Sequence, residues 1–213
     1  MSRENVKKAI EFRRPDQLPR YMHWYSRELL DAHPEEIKRL MEEYPDDLLQ
    51  LPTRFPTKRI SSDLYYDEWG CLWRQTECGV GAHLQQAPLS SLENLEKFLQ
   101  ETVPDVAASG LVPSEMEIRR LREEFPDQFL IGQCWRTYYE RMWMLVGMEE
   151  LMVELHLHPE RVGVLEHFLR EYTLQLIERW GKAGVDAIYL ADDWGSQAST
   201  LIAPSMWRKV FKA

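Results

Sequence analysis

The chain is poor in positive charge. Its 213 residues carry 26 Lys and Arg against 35 Asp and Glu, a formal net charge of -9, and that balance does not supply the basic footprint a phosphate backbone requires. A nucleic-acid partner is excluded on these grounds. Long apolar runs are missing too: the longest, around Met142 to Met148, is far short of the roughly 20 residues a membrane-spanning helix needs. Met1 to Ile10 is charged rather than apolar, unlike a secretory leader, so neither secretion nor membrane insertion is expected. Cysteine is scarce. Cys71, Cys78 and Cys134 are odd in number and lack C-x-x-C spacing, which makes neither a disulfide framework nor a zinc knuckle and fits a reducing cytoplasm. No low-complexity linker breaks the chain, so residues 1–213 read as one domain.

What is present is organised around residues 184–197. Gly184 follows a long helical pattern, Val185 to Ala191 is apolar apart from Asp186, and the run then breaks into Asp192, Asp193, Trp194, Gly195, Ser196 and Gln197. This pattern predicts a parallel strand covered on both faces that delivers polar groups at its end. Function collects where such strands finish, which makes Asp192, Asp193 and Gln197 the first candidates.

The rest of the chain predicts strands alternating with helices. Ser2 caps a helix through Phe12, and the aromatic segment Arg20 to Tyr25 reads as a first strand. Pro34 opens a helix with Ile37, Leu40, Met41 and Tyr44 on one stripe, and Leu48 to Leu51 forms a second strand. Residues 53–89, where Tyr65, Tyr66, Trp69 and Trp73 are interleaved with Gly70, Gly79 and Gly81, predict an antiparallel excursion of hairpins. Ser90-x-x-Glu93 and Ser114-x-x-Glu117 are capping-box signatures for two helices. Phe129 to Trp135 is a third strand. Helices follow over Thr137 to Leu155 and over Pro159 to Lys182, the latter burying Val162, Leu165, Leu169, Leu176 and Trp180. The fourth strand comes after Gly184, and Pro204 opens the last helix. The fold class is therefore α/β with parallel crossovers, and four parallel strands are half of what an eight-stranded barrel needs.

Several motifs occur together in order: Asn5 to Ile10 with Arg14-Pro15-Asp16-Gln17-Leu18-Pro19, Asp67-Glu68-Trp69-Gly70-Cys71-Leu72-Trp73, Glu140-Arg141-Met142-Trp143-Met144-Leu145-x-Gly147 with Pro159-Glu160-Arg161-Val162, and Gly184-Val185-Asp186 through Gly195. In this combination the chain resembles the uroporphyrinogen decarboxylase superfamily, which includes cobalamin-linked methyltransferases. The resemblance implies the N-terminal half of a TIM (β/α)8 barrel, with the site at the carboxyl ends of its strands and little or no turnover by these residues alone. It also implies a small-molecule substrate and, in the methyltransferase branch, a corrinoid protein partner. Decarboxylating members carry an arginine-rich segment after the first strand, where this chain reads His23-Trp24-Tyr25-Ser26-Arg27, and an aspartate after the second, where it reads Leu48-Leu49-Gln50-Leu51-Pro52. One arginine cannot clamp a polycarboxylated tetrapyrrole, so the methyltransferase branch is favoured over a cofactor-free decarboxylase. Methyltransferase members bind zinc through His-x-Cys and a later Cys, and no histidine here precedes a cysteine at that spacing. No cofactor is expected on this chain alone, and zinc is expected only with a second barrel half. A non-catalytic half-barrel pairing with another copy, or with a separate second half, is the rival from a different class.

Asp192 and Asp193 are candidates for general acid and base, since adjacent carboxylates raise one another's pKa; the alternative is that they cap the next turn or face water. His23 is a candidate proton donor or a hydrogen-bonded structural group. Tyr25, Gln133, Trp135, Trp194 and Gln197 would form the substrate mouth. Glu140 and Arg141 either reach that mouth or form a local ion pair. Trp69 and Trp73 line the pocket or pack a satellite core, and the cysteines read as small buried hydrophobes.

Overall fold

The structure is a computed structural model that describes residues 2–22, 25–76 and 81–212. His23, Trp24 and Cys78 lie outside the described residues. Helix α1 (Ser2–Ile10), α2 (Arg27–Ala32) and α3 (Pro34–Glu43) lead into strand β1 (Leu48–Pro52). Strands β2 (Lys58–Arg59), β3 (Leu64–Tyr66), β4 (Leu72–Gln75) and β5 (Ala82–Gln86) form an antiparallel sheet in chain order. A 3-10 turn, α4 (Leu95–Glu101) and α5 (Glu115–Glu124) return the chain to β6 (Phe129–Cys134). Helices α6 (Tyr139–Val146), α7 (Met148–Leu157) and α8 (Pro159–Ala183) then cross over to β7 (Ala187–Leu190), and α9 (Pro204–Val210) follows. Strands β1, β6 and β7 are parallel and lie in that order, with Leu51 beside Gly132 and Gly132 beside Ile188. The chain is thus mixed α/β, with a three-stranded parallel sheet and a separate four-stranded antiparallel one.

The two sheets feed two cores. One face of the parallel sheet, through Leu51, Leu130 and Cys134, packs on Ile118, Leu176, Trp180 and Ala183. Gly132 sits against the fully buried Trp180: a methyl group there would stand 2.4 Å from the indole, so the helix approaches the strand as closely as it does only because that residue is glycine. The larger core joins Trp69, Cys71 and Trp73 of the antiparallel region to Met142, Leu145, Leu151, Val162, Leu165 and Leu169 of α6, α7 and α8. Trp69 and Trp73 are therefore core residues. The face of α8 foreseen from its spacing is buried at all five positions.

Several expectations need correction. The described part of the aromatic segment, Arg20 to Met22 and Tyr25, is not strand, and three parallel strands are present among the described residues rather than four. The backbone N–H groups of Arg20 and Met22 donate to the carboxylates of Asp47 (2.6 Å) and Asp46 (2.8 Å) instead of entering a ladder. Strand β7 is not covered on both faces: among the described residues it is an edge with β6 as its partner, and Tyr189 and Leu190 are exposed. The helix expected over Thr137 to Leu155 is two, separated at Gly147, whose φ of 92° no helix accommodates. The first helix ends at Ile10 rather than Phe12. Ser114 and Glu117 form the expected capping box, whereas the upstream turn is capped by Ser91, which accepts from the Glu93 N–H, and not by Ser90. Of the α3 stripe only Ile37 is buried; Leu40, Met41 and Tyr44 are exposed. No helix among the described residues is long and apolar enough to cross a membrane.

Asp186, just before β7, ties three elements together. Its carboxylate accepts from Arg3 Nε of α1 (2.9 Å), Arg122 Nη1 of α5 (3.1 Å) and the Leu130 N–H of β6 (3.0 Å). Burial pushes its pKa up, but these donors outweigh burial and hold it below the ordinary aspartate value. Such a group stabilises the fold above the usual aspartate range and loses that contribution as pH falls through its folded pKa. Asp186→Asn is expected to cost ~1–2 kcal/mol near neutrality, a deficit that shrinks towards about pH 3 in urea unfolding curves. A deficit independent of pH would contradict this role.

Candidate functional site

The carboxyl ends of β1, β6 and β7 open into a cleft of about 1160 Å³. Its floor comes from the residues that follow each strand: Thr53 and Phe55 after β1, Gln133, Trp135 and Arg136 at and after the end of β6, and Tyr189 to Asp193 at the end of β7. Glu140 and Arg141 of α6, Glu68 and Gly81 of the antiparallel region, and Tyr25 and Ser26 before α2 complete the wall. The parallel topology brings successive strand ends to one side, so residues far apart in sequence meet there.

Gln133 is held rather than free. Its Nε2 donates to Gln50 Oε1 (2.7 Å), and its carbonyl accepts from the Thr53 hydroxyl (2.7 Å), which in turn accepts from Trp180 Nε1 (3.2 Å). Trp135 and Tyr189, both about 40% exposed, meet edge to face with ring centroids 5.6 Å apart.

Asp192 caps a helix, though not the next one. The start of α6 has no side-chain cap of its own, and Asp192 accepts from the N–H groups of Tyr139 (2.8 Å) and Glu140 (2.7 Å). Burial raises its pKa, these two donors oppose burial, and neighbouring Asp193 adds to the rise. Asp193 is exposed and accepts from the Gly195 N–H (3.2 Å). Glu140, whose backbone Asp192 holds, lines the cleft with its carboxyl pushed up by burial and then by Asp192, against an opposing effect from Arg136.

Arg141 does not pair locally with Glu140. Its guanidinium, 5% exposed, is shared between Asp67 Oδ2 and Glu68 Oε1, each at 3.0 Å, and lies over the Trp69 ring. Asp67 is further satisfied by the N–H groups of Trp69 (3.0 Å) and Cys71 (2.9 Å) and by Trp73 Nε1 (3.0 Å). Burial raises the Glu68 carboxyl, Arg141 opposes that, and Asp67 adds to it.

Of the residues expected at the mouth, the cleft brings together Tyr25, Gln133, Trp135, Glu140, Arg141, Asp192 and Asp193. Trp194 and Gln197 are not among its walls. After Asp193 the chain folds back through a turn closed by the Ser196 N–H on the Ser199 carbonyl (2.8 Å), so Trp194 stacks on Tyr139 and packs edge-on to Phe211 while Gln197 faces out. His23 lies outside the described residues. Sequence reasoning missed Glu68 and Arg136. Glu68 stood inside Asp67-Glu68-Trp69-Gly70, and its pairing partner on α6 was the missing information. Arg136 adopts a left-handed φ of 55° that carries it over the Trp73 ring, 4.4 Å from its centroid, and no local sequence signal foretells that.

A zinc site does not fit these residues: among those described, no three His, Cys, Asp or Glu are grouped to hold a metal. Cys71 and Cys134 are buried, and burial pushes both thiols up, that of Cys134 to about 11.

Removing the shared guanidinium strands two buried carboxylates. Arg141→Met is expected to cost ~3–5 kcal/mol, and adding Asp67→Asn with Glu68→Gln to recover most of that loss. Urea midpoints read by tryptophan fluorescence decide this; a triple variant no more stable than Arg141→Met would refute it.

No family model and no curated protein sequence matches the chain. Among solved structures, a methyltransferase from Methanosarcina mazei is similar, with a TM-score of 0.64 and 18% identity over 99% of this chain. The chain spans 64% of that protein's length. At this identity the likeness is one of fold: the chain shares its mixed α/β arrangement with a methyltransferase.

Proposed function

We propose that the cleft is the small-molecule site of a methyl-transferring enzyme and that β1, β6 and β7 are neighbouring strands of a (β/α)8 barrel whose remaining strands pair with the two open edges. The observation that carries this reading is the position of the cleft, at the carboxyl ends of parallel strands with Glu140, Asp192 and Asp193 on its rim. The sequence resemblance and the fold shared with a methyltransferase support the type of reaction. A porphyrinogen decarboxylase is disfavoured because Arg141 is committed to Asp67 and Glu68, leaving Arg136 to face several substrate carboxylates. The exposed Leu40, Met41 and Tyr44 of α3, with the open edges of the sheet, favour association with a second barrel half or another copy. A corrinoid protein is the proposed carrier of the methyl group.

In this reading Glu140 is the base. Its raised pKa makes it a better proton acceptor near neutrality than an ordinary glutamate. A thiol gives its proton to the Glu140 carboxylate and keeps the bonding pair on sulfur. Sulfur then bonds to the methyl carbon while the bond to the leaving atom breaks, its electron pair going to that atom. Asp192 holds Glu140 in place through the backbone of α6.

The test is single-turnover transfer from methylcobalamin to a small thiol with the protein in excess, since three strands are expected to give slow turnover. Transfer above the uncatalysed rate is expected, falling roughly 10²-fold in Glu140→Gln. Transfer indifferent to that substitution, or decarboxylation of a porphyrinogen, would overturn the proposal.

A further inference from the structure

We propose that this chain pairs with a second copy of itself by lodging Phe12 of each copy in an apolar pocket beside α3 of the other; this does not depend on the reaction proposed for the cleft. The first ground is Phe12 itself. The N–H groups of Phe12 and Arg13 close the end of α1 on the carbonyls of Ala9 (3.2 Å) and Lys8 (2.8 Å), a closure that sets the Phe12 backbone left-handed, at a φ of 55°. Glycine usually takes that position, because a side chain there crowds the backbone. Here it carries a phenyl ring that is 94% exposed, so no contact among the described residues offsets either the strain or the exposure. Leu18, in the segment that follows, is 85% exposed. Uncompensated features of this kind point to a contact outside the chain.

The second ground is a receptor of matching size and charge on the same chain. A pocket of about 130 Å³ opens between Met22, Tyr25, Met41, Tyr44 and Pro45. A cavity of roughly 150 Å³ accommodates a benzene ring, so a phenyl group fills this one. Asp46 also lines it, and Glu42 and Glu43 stand exposed at the end of α3 just before it. Beside Phe12, Arg13 is paired with Glu4 and Glu11, whereas Arg14 is exposed and has no ion pair among the described residues. A cation next to an apolar ring on one copy therefore meets carboxylates next to an apolar pocket on the other, in a chain whose formal net charge of -9 otherwise keeps copies apart. Ring and pocket both belong to the amino end of the parallel sheet. Tyr44 and Pro45 precede β1, and Ser2, the first residue of α1, donates to the carbonyl of Asp127 just before β6. About 14 Å of helix separates that anchor from the end of α1, so a two-fold axis lets each copy give its ring and receive the other's.

Sedimentation equilibrium of the full chain tests this. A monomer–dimer equilibrium is expected between micromolar and millimolar concentration, weakened by added salt. Phe12→Gly, which suits the left-handed backbone, and Met41→Glu, at an exposed position of the pocket wall, are each expected to weaken the dimer at least about tenfold while circular dichroism stays unchanged. Mixing the two variants is expected to restore part of the association, since the intact pocket of one accepts the ring of the other. A chain that stays monomeric throughout would overturn the proposal. So would a dimer that survives Phe12→Gly, as one joined along open strand edges would, or a mixture no more associated than either variant alone.

Discussion

A single guanidinium joins two walls of the cleft. Arg141 is carried by α6, the helix that follows the central strand β6, while Asp67 and Glu68 belong to the turn between β3 and β4 of the antiparallel sheet. The two sheets share no strand, so this buried ion cluster, with the tryptophans around it, fixes the wall contributed by one relative to the floor contributed by the other. Buried ions add little net stability over an apolar core of the same shape, but they are costly to leave half-made. That asymmetry makes them a device for geometry, since the wall can occupy only the position that satisfies all three charges.

The same first turn of α6 is fixed a second time. Asp192, delivered by β7, supplies the N-terminal cap that α6 lacks in its own sequence, and so joins the ends of two neighbouring strands. A carboxylate expected to do chemistry is thereby committed to structure, and the adjacent Glu140 is left facing the cleft with a raised pKa. Burial, the dominant cause of that rise, also makes the glutamate responsive to any charge that enters beside it.

Much of the fold was legible wherever the signal is local. Prolines 34, 159 and 204 each open a helix, the Ser114 and Glu117 capping box forms, and α8 buries the stripe its spacing foretold. Leu48 and Phe129 begin strands because their apolar runs are bounded by turn residues. Arg20 to Met22 misled because aromatic density mimics a strand while two aspartates 24 and 27 residues on take up its N–H groups. The site was half legible: the strand ends marked Gln133, Trp135, Asp192 and Asp193, but Trp194 and Gln197 were lost when the chain turned back on α9. The commitments of Arg141 and Asp192 are partnerships across 74 and 52 or 53 residues, which no spacing rule contains.

Burial, with Asp192 and Asp193 adding to it and Arg136 and Arg141 opposing it, sets the chemistry of the cleft at Glu140. The most direct measurement is the carboxyl carbon NMR titration of Glu140, assigned by its disappearance in Glu140→Gln. The expected result is a pKa above the ordinary glutamate value. A carboxyl that titrates at or below the ordinary value would contradict this.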